Sequence, residues 1–290
     1  MKEAMLYEKL NGNKVNCHVC NHRCTIAEGK RGICGVRENL SGTLYALNYG
    51  KTIAMNIDPI EKKPLYHFLP GTEIYSFAAV GCNFRCPWCQ NWEISQSPKP
   101  NNPIDGKIIT PEEHVEQALT YGCPSIAYTY TEPTIFVEYA LDTMKLAKEK
   151  GLKNVWVTNG YMSKETLDNI IPYLDAANVD FKGPDDSVYI NYCQGKAINI
   201  MENIRYLHEA GIHNEITTLI VPGINDKPQQ LEAIAQFIAN ELSTDVPWHV
   251  TRFFPAWKMI ELPPTPMETM KMAYETGKKA GLKFVHMGNV

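Results

Sequence analysis

The sequence predicts an α/β fold, a partial (β/α)6 TIM-like barrel preceded by a small cysteine-rich N-terminal segment. Three observations carry this. From about residue 73, short apolar runs alternate with amphipathic helical stretches, the pattern of βαβ units on a parallel sheet. The ends of those runs are unusually polar, as the working rim of a β/α barrel is. The opening residues have another texture, with Cys17, Cys20, Cys24 and Cys34 set among Gly, Lys and Arg. Two parts are therefore expected, a metal-binding segment over 1–60 and the barrel over 73–290. A doubly wound open sheet is the alternative architecture.

Taken in order, the opening segment closes on a hairpin around "NLSGTLYALNYG" at 39–50. The strand candidates follow at 73–80, 125–133, 154–160, 176–183, 214–223 and 247–255, with a further one in 282–290. Between them, Leu231, Ile234, Ala235, Ile238 and Leu242 mark one face of a helix. Ile200, Ile204 and Leu207 repeat the spacing, as do Ile135, Phe136, Tyr139, Ala140 and Met144. The polar strand ends are Gly81 with Cys82, then Glu132, then Thr158, Asn159 and Gly160, then Asp180 and Lys182, then Pro222 and Gly223, and last Arg252. These are expected to converge on one rim. His249 and Arg252 fall on opposite sides of one strand, so one of them faces the interior.

Apolar residues make up 44% and charged residues 21% of 290, ordinary for a globular enzyme. A net charge of −4 gives no footprint for nucleic acid or an anionic membrane. Neither a signal-type h-region nor a spanning apolar run is present, so the cytoplasm is the expected compartment. Thiols are kept reduced there. The nine cysteines accordingly read as ligands or catalysts, and seven of them fall in two clusters.

"GCNFRCPWCQNWEIS", 81–95, spaces three cysteines as C-x3-C-x2-C. Three thiolates hold three irons of a four-iron cube and leave the fourth open. The plainer reading is zinc, either three-coordinate or completed by Cys123 or a histidine. Cys17, Cys20, Cys24 and Cys34 form C-x2-C-x3-C-x9-C, read first as structural zinc and next as a second iron–sulfur cluster. His18 and His22 are alternates for one of those thiols. Cys123 reads as a buried small hydrophobe. Cys193 reads as structural, with a substrate-facing thiol as the other option. Pro59 to Lys63 looks like a charged turn with solvated lysines, and Asp185 with Asp186 like a helix start.

The three-cysteine loop, placed after a first barrel strand and carrying Trp88 before its last cysteine, resembles the radical S-adenosylmethionine (SAM) superfamily. That resemblance makes Cys82, Cys86 and Cys89 the cluster ligands and Trp88 the aromatic near the adenine. "YTYTEPT" stands where the superfamily has a "GGE" strand end, with Tyr130 and Thr131 replacing the glycines and Glu132 kept as the candidate for the methionyl amine. "VTNG", "VDFK" and "LIVPG" resemble "DTNG", "DLK" and "VVPG" of pyruvate formate-lyase activating enzymes, which brings Asn159, Asp180 and Lys182 to the cofactor. Val157 replaces an aspartate that helps build a cation site there. Over nearly the whole chain, including "CHVCNHRCTIAEGKRGICGVREN" and "NIDPIEKKPLYHFLPGT", the sequence is similar to the AmmeMemoRadiSam system radical SAM protein. It departs at Phe254, where members read "RFHP". Members also continue past "GNV" into a cysteine-bearing tail, whereas this sequence stops at Val290.

The resemblance implies reductive cleavage of SAM at a 4Fe-4S cluster to a 5′-deoxyadenosyl radical, which abstracts hydrogen from a peptide or small-molecule substrate. An electron donor such as a flavodoxin or ferredoxin is implied with it. Tyr128, Tyr130, Trp156, Phe181, Phe253 and Phe254 are expected to wall the barrel mouth. A glycyl-radical activase acting on a protein glycine is the alternative. A non-catalytic zinc-binding scaffold is the alternative of another class.

Overall fold

Fully buried strands explain the architecture. In the computed structural model, which describes residues 1–100 and 102–290, Ser125–Tyr128 has every residue buried and Ala176–Asp180 all but its last. Such strands suit a parallel sheet covered on both faces. Seven strands lie parallel, the inner ones the most buried: Glu73–Ala78, Ser125–Tyr128, Lys153–Thr158, Ala176–Asp180, His213–Ile220, Trp248–Arg252 and Val285–Gly288. Their order in the sheet is their order in the chain. A doubly wound sheet would reverse at a switch point, so that alternative is excluded. Among the described residues no pairing joins Val285–Gly288 to the opposite edge, and the molecule is a partial barrel.

The helices start where local chemistry favours it. Thr110 forms a capping box with Glu113 ahead of Pro111–Thr120. Ser163 accepts from the Thr166 N–H to open Lys164–Ile170. Ala197–Glu209, Pro228–Phe237 and Met267–Lys279 complete the outer layer with Val137–Glu149. Asp185 does cap a short helix, accepting from Ser187 N.

The N-terminal part forms two three-stranded antiparallel sheets. One pairs Lys14–Cys17 with Tyr7–Leu10 and Thr25–Ile26. The other contains the expected hairpin, Arg37–Leu40 against Thr43–Ala46. The strand Ala54–Pro59 falls inside 1–60 but pairs antiparallel with Glu73–Ala78, at the edge of the eight-stranded sheet. Strand pairing continues a sheet wherever backbone donors stand free, which composition does not register. A buried ion pair between Arg37 and Glu138 also fastens the small sheets to the barrel, Arg37 Nη2 lying 2.6 Å from Glu138 Oε2.

The stretch after Ile60–Lys62 runs beneath the strands. Its Tyr66 and His67 N–H groups donate to buried Glu215 at 3.0 and 2.8 Å, and its Pro64 carbonyl accepts from Asn178. His249 is the residue of the 249/252 pair that turns inward, with Nε2 2.6 Å from Glu215 Oε2. Arg252 turns away and donates to the Thr265 carbonyl.

Candidate active site

Gly81 opens the three-cysteine loop with φ +107°, and a Cβ there would stand 2.9 Å from Val36 Cγ1 and 3.1 Å from the Cys34 carbonyl. Only glycine fits so close an approach with that backbone. The loop is then tied at several points. The Arg85 guanidinium donates to the carbonyls of Cys82, Phe84 and Ile33. Gln96 donates to the Phe84 carbonyl and Asn91 to that of Tyr130, while Pro87 accepts from Lys258 N.

Cys82, Cys86 and Cys89 line one cavity of about 540 Å³ together with Trp88, Glu132, Asn159, Asp180 and Lys182. The eight residues expected at the cofactor site are thus brought together. Cys82 Sγ accepts from Phe84 N at 3.3 Å, and Cys89 Sγ lies 3.3 Å from Ser95 Oγ. Trp88 is buried, its ring 5.7 Å from that of Tyr192.

Glu132 is buried and accepts from four donors. Thr134 N and Oγ1 and Thr158 Oγ1 reach Oε1, and Asn159 N reaches Oε2 at 2.8 Å. Burial pushes its carboxyl up, against those bonds. Asn159 in turn holds Asn83 Oδ1 at 2.7 Å beside Cys82. Lys182, 1% exposed, lies 2.9 Å from Asp180 Oδ2. Burial alone would lower its ammonium, but Asp180, Cys86 and Cys193 hold it well above its usual value.

Several expectations are corrected. Lys63 is no solvated lysine: its side chain is 2% exposed, and Nζ lies 2.6 Å from Asp58 Oδ2 and 4.4 Å from the Tyr130 ring centre. Lys62 stays exposed but pairs with Asp58 Oδ1, and both lysines line the cavity. Tyr130, standing where the superfamily has glycine, adopts φ +62° and donates to Asp58. Of the six aromatics expected as walls, only Tyr130 lines the cavity; Tyr128, Trp156, Phe181 and Phe253 are core, and Phe254 is 41% exposed. Phe84 and Trp88 line it instead. The fifth strand supplies Leu219, whereas Pro222, Gly223 and Arg252 do not reach it.

Cys193 is buried with Sγ 3.3 Å from Cys86 Sγ, close to the site but outside the cavity lining. Cys123 is a buried thiol as expected. His22 turns to the Asn83 carbonyl at 2.8 Å rather than toward the N-terminal thiols. Among the described residues no three His, Cys, Asp or Glu side chains converge tightly enough for a single metal ion. Zinc therefore has no support at either cysteine set, and with it goes the support for a zinc scaffold.

The three-cysteine site does fit a larger cofactor. Its thiols face a shared cavity instead of one point, and Asp180 Oδ1 is buried at that cavity without a partner. Asn83 Nδ2, beside Cys82, is likewise unpaired. Polar atoms buried in this way require a partner.

Residues 78–238 match the model of the radical SAM superfamily. The chain belongs to that superfamily. It is 49% identical to an uncharacterized protein of Methanocaldococcus jannaschii over 290 residues, 100% of this chain and 86% of the relative. It is similar, at 26% identity over 167 residues, to the pyruvate formate-lyase-activating enzyme of Clostridium pasteurianum, covering 55% of this chain and 67% of that enzyme. Among solved structures, a radical SAM methyltransferase from Sphaerobacter thermophilus shares the fold, with a TM-score of 0.59, 15% identity, and 77% and 68% of the two chains covered. The superfamily implies a 4Fe-4S cluster and SAM, and an enzyme. No helix among the described residues is long and apolar enough to cross a membrane.

Proposed function

We propose that this chain cleaves SAM reductively at a 4Fe-4S cluster held by Cys82, Cys86 and Cys89 and abstracts hydrogen from a peptide or small-molecule substrate. The observation that carries the reading is the convergence of those thiols with three further polar strand ends on one cavity. When bound, the cluster and SAM supply the electron transfer and the 5′-deoxyadenosyl radical. The chain's own residues position and enclose. Asn159, Asp180 and Lys182 offer polar groups at the rim, and Trp88 an aromatic face. Glu132 has Oε2 committed to one internal donor, which leaves that oxygen room for a cationic amine. Phe84, Trp88 and Leu219 keep apolar surface around the reacting centre. Val157 at the position of the activase aspartate favours an enclosed substrate over a docked glycyl-radical enzyme. We place the reaction in the cytoplasm, with a one-electron donor such as a flavodoxin or ferredoxin.

The test is anaerobic reconstitution with iron and sulfide, followed by SAM and dithionite, with 5′-deoxyadenosine read by chromatography. The wild-type chain is expected to release it and Cys82→Ala to release none. A fully loaded protein that leaves SAM intact would sink the proposal. Labelling of a glycyl-radical enzyme in the same assay would move the reading to an activase.

A further inference from the structure

Cys193 stands beside the site and has no task in the proposed reaction. Its place is set from two sides. It ends a π-helical turn, Tyr189–Cys193, whose Tyr189 hydroxyl accepts from Lys182 N at 2.8 Å. Gln194 then carries the chain through a left-handed φ of +66°, and the Gly195 N–H returns to the Tyr189 carbonyl. The turn is seated on the three-cysteine loop. The Cys193 carbonyl accepts from Arg85 N at 3.2 Å, and a Cβ at Gly195 would stand 2.7 Å from Phe84 Cε1. Only glycine lets the two segments approach so closely.

This seating fixes the thiol against a cluster ligand. Cys193 Sγ is buried and lies 3.3 Å from Cys86 Sγ, within hydrogen-bond reach. Two thiols in contact cannot each hold a separate corner of a four-iron cube, where every iron takes its own ligand. Cys193 is therefore no fourth ligand while Cys86 serves as one. A Cys86 thiolate bound to iron carries no proton and can only accept, which leaves the donor role to the S–H of Cys193. A hydrogen bond to a charged acceptor is stronger than a neutral one, and stronger again away from water. Cys193 does not line the cavity, so it acts through Cys86 and not on SAM or substrate.

We infer that the Cys193 S–H donates to Cys86 Sγ in the loaded protein and raises the reduction potential of the cluster. The inference rests on the cluster reading under the proposed function. Charging the cluster takes one electron from the external donor, and the proton stays on Cys193. The added charge spreads onto the ligand sulfurs, so a donor at one of them favours the reduced state. Hydrogen bonds to the sulfurs are among the factors that set such potentials.

The test compares the full wild-type chain with Cys193→Ala and Cys193→Ser, each reconstituted anaerobically with iron and sulfide and kept free of SAM. Iron and sulfide are counted per chain, and the midpoint potential is read by dithionite titration with electron paramagnetic resonance. Cys193→Ala removes the donor and should move the midpoint to more negative potential by up to about 59 mV, a tenfold change in the one-electron equilibrium. Cys193→Ser keeps an O–H donor in the same place and should stay closer to wild type. If the alanine protein loads no cluster, Cys193→Val fills the space without a donor, and the same shift is expected of it. A cysteine that only packs gives a different pattern, with the donorless variant at the wild-type potential or serine displaced as far as that variant. Either result would overturn the inference and leave the cluster reading intact, because the proteins compared are loaded. A wild-type chain that takes up no iron and sulfide would remove the cluster reading and the inference together.

Discussion

Replacing Glu132→Gln tests how the strand ends are organised, because its consequences can be worked donor by donor. The carboxylate is 3% exposed and meets four protein donors. Three of them converge on Oε1, so the amide oxygen of glutamine must take that place. Its NH2 group then faces Asn159 N–H, donor against donor. One charge-assisted bond is lost, an N–H is stranded, and the other three bonds become neutral ones, roughly half as strong. The stranded N–H costs about 1–3 kcal/mol of stability, while the weaker bonds at Oε1 are offset by no longer burying a charge that the site disfavours. Against a total of about 5–15 kcal/mol the protein should still fold. Urea unfolding under anaerobic conditions reads the loss as a lower midpoint at constant slope. Asn159 also positions Asn83 next to Cys82, so SAM affinity, read by calorimetry on the reconstituted protein, should fall by about tenfold or more. Thr158→Val, which keeps the charge but removes one donor to Glu132 and the acceptor of the Gly160 N–H, should cost about 1–3 kcal/mol. A Glu132→Gln midpoint within error of wild type would refute the view that this carboxylate braces the rim.

Asp58→Asn should destabilise by about 3–5 kcal/mol, because it leaves the buried Lys63 ammonium uncompensated. Adding Lys63→Met should recover most of that in a double-mutant cycle, and additive losses would count against the pair. Gly160→Ala should cost about 2–4 kcal/mol, since φ is +74° and the new Cβ would meet Val179 Cγ1 at 2.9 Å and Ile200 Cγ2 at 3.0 Å; an unchanged melting temperature would contradict it. Burial lowers His114 to about 3, with hydroxyls of Thr52, Tyr75 and Tyr139 around its ring and no carboxylate bonded to it. The unfolded chain then binds a proton that the native state refuses, so stability drains away as pH falls below about 6.5. His114→Phe should flatten that slope between about pH 7 and about pH 5.5, and an equal slope in both proteins would dismiss the assignment.

Much of the site was legible because its chemistry is local. Cys82, Cys86, Cys89 and Trp88 sit within eight residues, and a loop that short presents its side chains together whatever surrounds it. Glu132, Asn159, Asp180 and Lys182 were legible by a different route: each follows an apolar run, and the ends of parallel strands share one rim. The same rule overreached at Pro222, Gly223 and Arg252, which do not line the cavity; Arg252 is instead taken up by the Thr265 carbonyl, a partner that spacing along the strand does not reveal.

Other features had no local sign. "EKK" reads as surface anywhere, and only the return of Ala54–Pro59 along the sheet edge buries Lys63 against Asp58 and Tyr130. A signal existed in the short spacing from Asp58 to Lys63, but charge patterning alone assigns such pairs to solvent. Cys193 gave none, since its approach to Cys86 joins residues 107 apart in the chain.

What the sequence determined by itself is the alternation that makes a parallel β/α sheet and the three-thiol motif that marks the superfamily, both properties of neighbouring residues. What only the tertiary structure decided is which distant groups share a cavity, because strand pairing and crossovers set those approaches. The spacing C-x2-C-x3-C-x9-C is compatible with one ion or with a cluster. Strand pairing and the turn before Arg37 are what bring those four thiols to one pocket.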